Sequence, residues 1–260
     1  MSWLTHPLMK DLNLDAPETT YRRRQIIQGK NFLHRVYEEW YRALIKSIPE
    51  GNGAILEIGS GAGFFKNFFP GVIASECFYL HDIDCVIDGS FLPFADGSLK
   101  AIVMTDVFHH LPKPRLFLGE AARCLCPGGV VAMVEPWMTS WSLFVYSKFH
   151  HESFQPDAQQ WEFESDGPLS GANGALPWIV FQRDRKQFES EFPQLHIRSI
   201  EPMMPLLYLL SGGISLISLQ PGWTFRIWRF LESLLTRWMN RCAMFSKIVL
   251  VKTLVLRSNS

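Results

Sequence analysis

A chain of 260 residues that is 47% hydrophobic and 13% aromatic can bury a full core without disulfides or metals, and it is too apolar for disorder. Its 25 Lys and Arg balance its 25 Asp and Glu, which removes the strong basic field expected of a general nucleic-acid binder. Five cysteines without framework spacing exclude a disulfide scaffold, and a start without a basic and then apolar stretch gives no signal peptide; both suit buried, reduced thiols in the cytoplasm.

Residues 18–48 are predicted as one helix, capped by Thr19 or Thr20, because Ile26, Leu33, Tyr37, Trp40, Leu44 and Ile48 recur at helical spacing. Arg22, Arg23 and Arg24 in its first turns form either a solvated face or a contact to an acidic group. After the break at Pro49–Gly53, short apolar strands are expected at 54–58, 71–76, 84–88, 100–106 and 129–135. A short helix (64–69) and a longer one (113–126, stopped by Pro127-Gly-Gly) lie between them. Strands separated by helices give an α/β fold with a parallel sheet covered on both faces.

The second half is less regular. Residues 139–180, rich in aromatics, Gly, Ser and Pro, read as a loop-rich insertion, followed by a helix at 184–192 and a strand at 196–200. The uncharged stretch between Glu201 and Arg226 is interrupted by prolines and glycines, so it reads as buried or interfacial rather than membrane-crossing. Residues 223–245 are predicted as an amphipathic helix with the apolar stripe Ile227, Leu231, Leu234, Leu235, Trp238 and Cys242. That stripe is expected to pack on the sheet, with a membrane surface as the alternative. A last strand is expected at 246–254.

The chemistry is concentrated at Leu56-Glu-Ile-Gly-Ser-Gly-Ala-Gly63, between a strand and a helix. Glycines admit a ligand close to the backbone, and a helix start offers free N–H donors. No Lys-Ser/Thr follows, which argues against a phosphate-gripping loop, and the G-x-G-x-G spacing is not the dinucleotide fingerprint. Glu57 just before the loop would repel a pyrophosphate but suits a ligand with a cationic end, such as S-adenosylmethionine (SAM). Glu76 ends the second strand 17 residues after Gly59, near the offset of about 20 at which an acid meets ribose hydroxyls; Asp82 and Asp84 are its rivals. Asp88 ends the third strand and can accept from an adenine amino group.

The sequence from Ile55 to Gly63, Val86-Ile-Asp-Gly-Ser-Phe-Leu-Pro-Phe-Ala-Asp-Gly-Ser98, Thr105-Asp-Val-Phe-His-His-Leu-Pro112 and the Pro-Gly-Gly segment between Ala121 and Glu135 resemble class I SAM-dependent methyltransferases of the type 11 branch. The resemblance spans residues 50–138. It implies a Rossmann-like sheet of seven strands, mostly parallel with an antiparallel last strand, helices on both faces, and aromatic-rich insertions in addition. It divides a single domain into an N-terminal helical segment (1–49), a SAM-binding core (50–138) and insertions at 139–195 and 201–245 forming a substrate cap. It implies that Glu57 faces the methionine amine and that Gly59, Ser60, Gly61 and Gly63 shape the loop around it. Glu76 would hold the ribose, Asp88 with Gly89 would bracket adenine, and Thr105 and Asp106 would line the methionine side. The short first helix departs from the family and brings Glu76 close to the loop.

A weak nucleophile would also need a base, and His109 and His110 stand at the expected mouth of the site. His150 and His151 are further candidates, and Glu135-Pro-Trp137 is expected to line the acceptor pocket. The aromatic insertions suit a small, apolar or lipid-like acceptor or else form a second core; peripheral membrane contact through 201–245 goes with the first. Cys124-Leu-Cys126 has no second pair, and no metal site is expected. A non-catalytic SAM-fold module that binds a partner or membrane, and an NAD-linked oxidoreductase, are the competing readings; nucleic-acid methylation is disfavoured by the absence of a basic stripe and of an Asn/Asp-Pro-Pro-Tyr/Phe motif.

Overall fold

The computed structural model describes residues 5–9, 16–149, 152–165, 167 and 171–253. Two helices, α1 (Pro17–Gly29) and α2 (Asn31–Ile45), precede the sheet. The single helix expected over 18–48 is therefore two. Gly29 weakens the helix locally, and Lys30 turns its Nζ to the carbonyls of Gly213 and Leu216 instead of continuing the spiral.

The chain then alternates: β1 (Ala54–Ile58), α3 (Phe65–Phe68), β2 (Val72–Glu76), β3 (Cys85–Val86), β4 (Leu99–Thr105), α4 (Pro114–Cys124) and β5 (Leu125–Pro136). Helix α5 (Ser140–Phe149) follows, then α6 (Leu176–Trp178) running into a π-helical turn, α7 (Arg185–Glu191) and β6 (Leu195–Met203). Short helices α8 (Leu207–Ser211), α9 (Phe225–Ser233) and α10 (Met239–Cys242) lead to β7 (Phe245–Lys252). The strands form one sheet in the order β3-β2-β1-β4-β5-β7-β6. The pairs from β3 to β5 are parallel, and β7 runs antiparallel to both its neighbours. This is the Rossmann-like, seven-stranded arrangement with a reversed last strand that the sequence motifs imply.

One face of the sheet is buried under α4, α6 and α7, with Phe117, Phe181 and Phe188 fully inside. The other is buried under α1, α2, α5 and α8, around Trp40, Tyr41 and Phe245. The first crossover helix, α3, is only one turn long, and α2 makes up the missing mass. The Tyr41 ring lies 4.9 Å from Phe64 and 5.3 Å from Phe65, centroid to centroid, while its hydroxyl accepts a 3.0 Å hydrogen bond from Phe64 N–H.

The structure departs from the sequence reading in several places. The 139–180 insertion contains α5, whose start is held by Thr139: its Oγ1 accepts from Ser142 N–H at 3.1 Å. The long helix expected over 223–245 is broken near Ser233 and Thr236, whose hydroxyls donate back to Phe230 and Ser233 carbonyls at 2.6 Å. Its expected stripe does not pack on the sheet: Ile227, Leu231, Leu234 and Trp238 are exposed, whereas Phe225 and Glu232 face inward. Glu232 caps α8 by accepting from Leu206 and Leu207 N–H at 2.9 and 3.1 Å. All five cysteines are free, but Cys124 alone among them is buried. His150, His151 and Leu254 lie outside the described residues.

Candidate active site

The strand order reverses between β1 and β4, so the crevice at their carboxyl ends is where an open α/β sheet receives a ligand. A cavity of about 440 Å3 opens there. All ten residues implied to hold a cofactor line it: Glu57, Gly59, Ser60, Gly61 and Gly63 around the first loop, Glu76 at the end of β2, Asp88 and Gly89 after β3, and Thr105 and Asp106 at the end of β4. Helices cover it from above, through Thr20 and Arg23 of α1, Tyr37 and Tyr41 of α2, and Tyr208 of α8.

The loop is a close-fitting cradle. Gly59 sits at φ +70, and a Cβ there would meet Val107 Cγ2 at 2.4 Å. A Cβ on Gly61 would lie 2.7 Å from Glu76 Oε2, so a larger residue there would push the β2 carboxylate aside. Ser60 Oγ donates to Glu57 Oε2 at 2.7 Å and accepts from Ser75 N–H at 3.1 Å. Burial pushes the Glu57 carboxyl up to about 7; the Ser60 hydrogen bond opposes that and the charge on Glu76 adds to it. The sequence rivals of Glu76 are occupied elsewhere: Asp84 by Lys66 at 2.7 Å and by Ala74 N–H at 2.8 Å, and Asp82 by Arg24.

The arginine run resolves into two functions. Arg24 ties α1 across the loop by binding Asp82 and the Gly61 carbonyl. Arg23 lines the cavity with a buried Nε that has no hydrogen-bond partner among the described residues. Such an unmatched donor, beside a glycine cradle and a buried acid, suits a ligand carrying both a carboxylate and an ammonium group, as the amino-acid end of SAM does.

Residues 80–133, from the loop before β3 into β5, match the model of a methyltransferase domain of the type 11 family. No curated protein matches the chain in sequence. Among solved structures, a candidate methyltransferase from Haloferax volcanii, seen in complex with the Trm112 methyltransferase activator, is 15% identical, with a TM-score of 0.54 over 94% of this chain and 100% of its own. A SAM-dependent methyltransferase from Thermotoga maritima, described as a candidate histamine N-methyltransferase, is 16% identical, with a TM-score of 0.51 over 89% of this chain and 100% of its own. At that identity the likeness shows the fold alone, and the family match covers residues 80–133. Together they make the chain similar to class I SAM-dependent methyltransferases.

The two candidate histidines occupy different places. His110 lines the cavity, but His109 does not; it is 1% exposed and sits behind the wall. His109 Nδ1 is 2.8 Å from Glu135 Oε2 and its Nε2 is 3.7 Å from Glu152 Oε2. Burial alone would lower its pKa, yet hydrogen bonds to Glu135 and Glu152 hold it well above the usual histidine value, so it stays protonated. Burial, reinforced by the charge on His109, pushes His110 down to about 3. Asp106, held at φ +63, has a carboxyl raised to about 7, chiefly by burial.

Glu135 and Trp137 do not line the acceptor side as expected. Glu135 is fully buried, and its Oε1 accepts from Val107 and Phe108 N–H at 2.9 and 2.8 Å, fixing the turn after β4. Trp137, Tyr146 and Trp161 are core residues, whereas Tyr208 reaches the cavity. Tyr208 is one of the insertion aromatics expected to serve the acceptor, whereas sequence reasoning missed Glu152, which belongs to no motif and is brought to the site by tertiary packing.

Proposed function

We propose that this protein is a SAM-dependent methyltransferase that moves the methyl group to a small, apolar or lipid-like acceptor. The observation carrying this reading is that ten polar and glycine residues, scattered over residues 57–106, surround one cavity of about 440 Å3, within the usual size range of ligand sites. SAM supplies a methyl group already activated by its positive sulfur. The chain's residues have to orient it and keep water out. In this reading Glu57 receives the methionine amine, Arg23 the carboxylate and Glu76 the ribose hydroxyls, while Asp88 and Gly89 bracket adenine and Thr105 and Asp106 flank the methionine side.

The segments 139–195 and 201–245 bring Tyr208 and Ile214 to the cavity, beside Tyr37 and Tyr41 of the N-terminal helices, and these supply the apolar part of a lining that also holds Glu152, Ser165 and Ser215. Of the two histidines, His110 is the one placed to contact an acceptor. The exposed face of α9 and its flanks supports peripheral membrane contact. Trp223 is 74%, Phe230 64% and Leu234 61% exposed, with Arg226, Arg237 and Arg241 beside them. An apolar strip edged by arginines is the pattern of a segment that lies on an anionic lipid surface. No described helix is long and apolar enough to cross a membrane.

Calorimetric titration with S-adenosylhomocysteine tests the cofactor part. Incubation with methyl-labelled SAM and fractionated lipid or small-molecule extracts tests the acceptor. Label recovered in the organic phase supports the reading; binding without transfer to any fraction favours a non-catalytic module.

A further inference from the structure

We propose that His109, His110 and Glu152 form a binding site for one divalent transition-metal ion of the zinc class, set in the cavity wall beside Asp106. One ligand atom from each of the three lies within 4.8 Å of the others. For His109 Nε2 and Glu152 Oε2 the separation is 3.7 Å. Two donors at about 2.0–2.1 Å from a tetrahedral ion stand about 3.3 Å apart, so this pair needs only a small side-chain adjustment to share one.

The hydrogen bonds behind the rings point to the same chemistry. His109 Nδ1 is 2.8 Å from Glu135 Oε2, and His110 Nδ1 is 3.2 Å from the Gly171 carbonyl oxygen. Both partners accept hydrogen bonds, so in each ring Nδ1 holds a proton. At His110 Nε2 is left to bind an ion, and at His109 the ion would take the place of the Nε2 proton directed at Glu152. A buried carboxylate fixing the far nitrogen of a histidine is the usual support of a metal-binding imidazole. Glu135 is itself immobilised by Val107 and Phe108 N–H, so the support is rigid.

Two histidines and a glutamate make a donor set that zinc enzymes use when a fourth position stays open to substrate. Here that position faces the cavity, because His110 and Glu152 both line it together with Asp106. The open position suits an oxygen or nitrogen of the acceptor. That role rests on the methyl-transfer reading; the existence of the site does not.

Untagged protein, dialysed against chelator, is titrated with Zn2+ by calorimetry and with Co2+ by visible absorption. One ion per chain is expected, with d–d bands of a low-coordinate N/O site and no thiolate charge-transfer band. Glu152→Gln and His110→Ala should each weaken binding by about tenfold or more, while Cys77→Ser leaves it unchanged. Glu152→Gln keeps the side-chain volume at a half-buried position, so its fold is retained. S-adenosylhomocysteine titration of the same samples reports on the methyl-transfer reading separately. Absence of stoichiometric binding, indifference to both ligand variants, or loss on removing Cys77 would overturn the metal site.

Discussion

Ser60 Oγ donates a 2.7 Å hydrogen bond to Glu57 Oε2, so the carboxyl ending β1 is held in place by the loop that it introduces. The same Ser60 oxygen accepts from Ser75 N–H, and Ser75 Oγ donates to the Glu57 carbonyl at 2.7 Å, locking β1, the loop and β2 together. A cavity floor of this kind is preorganised: its acid is already aimed when a ligand arrives.

Glu57 titrates near 7 when the cavity is empty, and a cationic amine favours its ionised form. Affinity for S-adenosylhomocysteine should therefore rise with pH through about 7 and level off above it. The Glu57→Gln variant should bind about tenfold or more weakly at pH 8 and lose most of the pH dependence over that range. For stability of the free protein the sign is opposite. The folded carboxyl holds its proton up to about 7, whereas an unfolded one loses it near 4.5, so stability falls as pH rises between those values. Calorimetry at several pH values and urea denaturation check both; a pH-independent affinity contradicts the assignment of Glu57.

Gly59→Ala should be costly for two separable reasons, its φ of +70 and the 2.4 Å approach to Val107 Cγ2. Left-handed backbone and overpacking together suggest about 2–5 kcal/mol. Adding Val107→Ala should recover the steric part and leave the backbone part. Denaturant unfolding of the two variants measures this, and full recovery in the double variant would contradict the backbone argument.

Glu135→Ala should destabilise by about 3–5 kcal/mol, since it strands two N–H groups and the charged His109 in the interior. Glu135→Gln keeps an acceptor for Val107 and Phe108 but cannot balance His109, and should lose less. Equal losses for the two would show that the N–H groups contribute nothing.

Replacing Phe230 and Leu234 with aspartate removes apolar area from an already exposed face, so the fold should persist. Sedimentation with vesicles rich in anionic lipid should bring down the wild-type chain and leave the double variant in the supernatant. High salt should weaken the wild-type association. Equal pelleting of both proteins removes the membrane proposal.

The first half was legible because its signals are local. Alternation of apolar strands with helices, the glycine run after Ile58 and acids at strand ends define the sheet and the positions around its crevice. The second half was not, because its elements depend on distant partners. Lys30 breaks a helix to reach Gly213, Glu232 turns inward to cap α8, and Phe225 rather than Ile227 faces the core. A period-3.6 stripe reports that a helix has an apolar side; it cannot say which of two apolar sides the fold covers. One missed signal was local: Thr139 and Ser142 are spaced to cap a helix, and they do. Buried histidines present a similar limit. His109 and His110 are adjacent in sequence, yet the approach of Glu135 and Glu152 makes His109 a buried cation, and burial beside that cation makes His110 a weak base.

The most direct test is a crystal structure with S-adenosylhomocysteine. The account predicts its amino group beside Glu57, its carboxylate beside Arg23, its ribose at Glu76 and its adenine against Asp88 and Gly89. A ligand bound elsewhere on the chain, or a crevice that stays closed by Tyr37 and Tyr208 at saturating concentration, would contradict it.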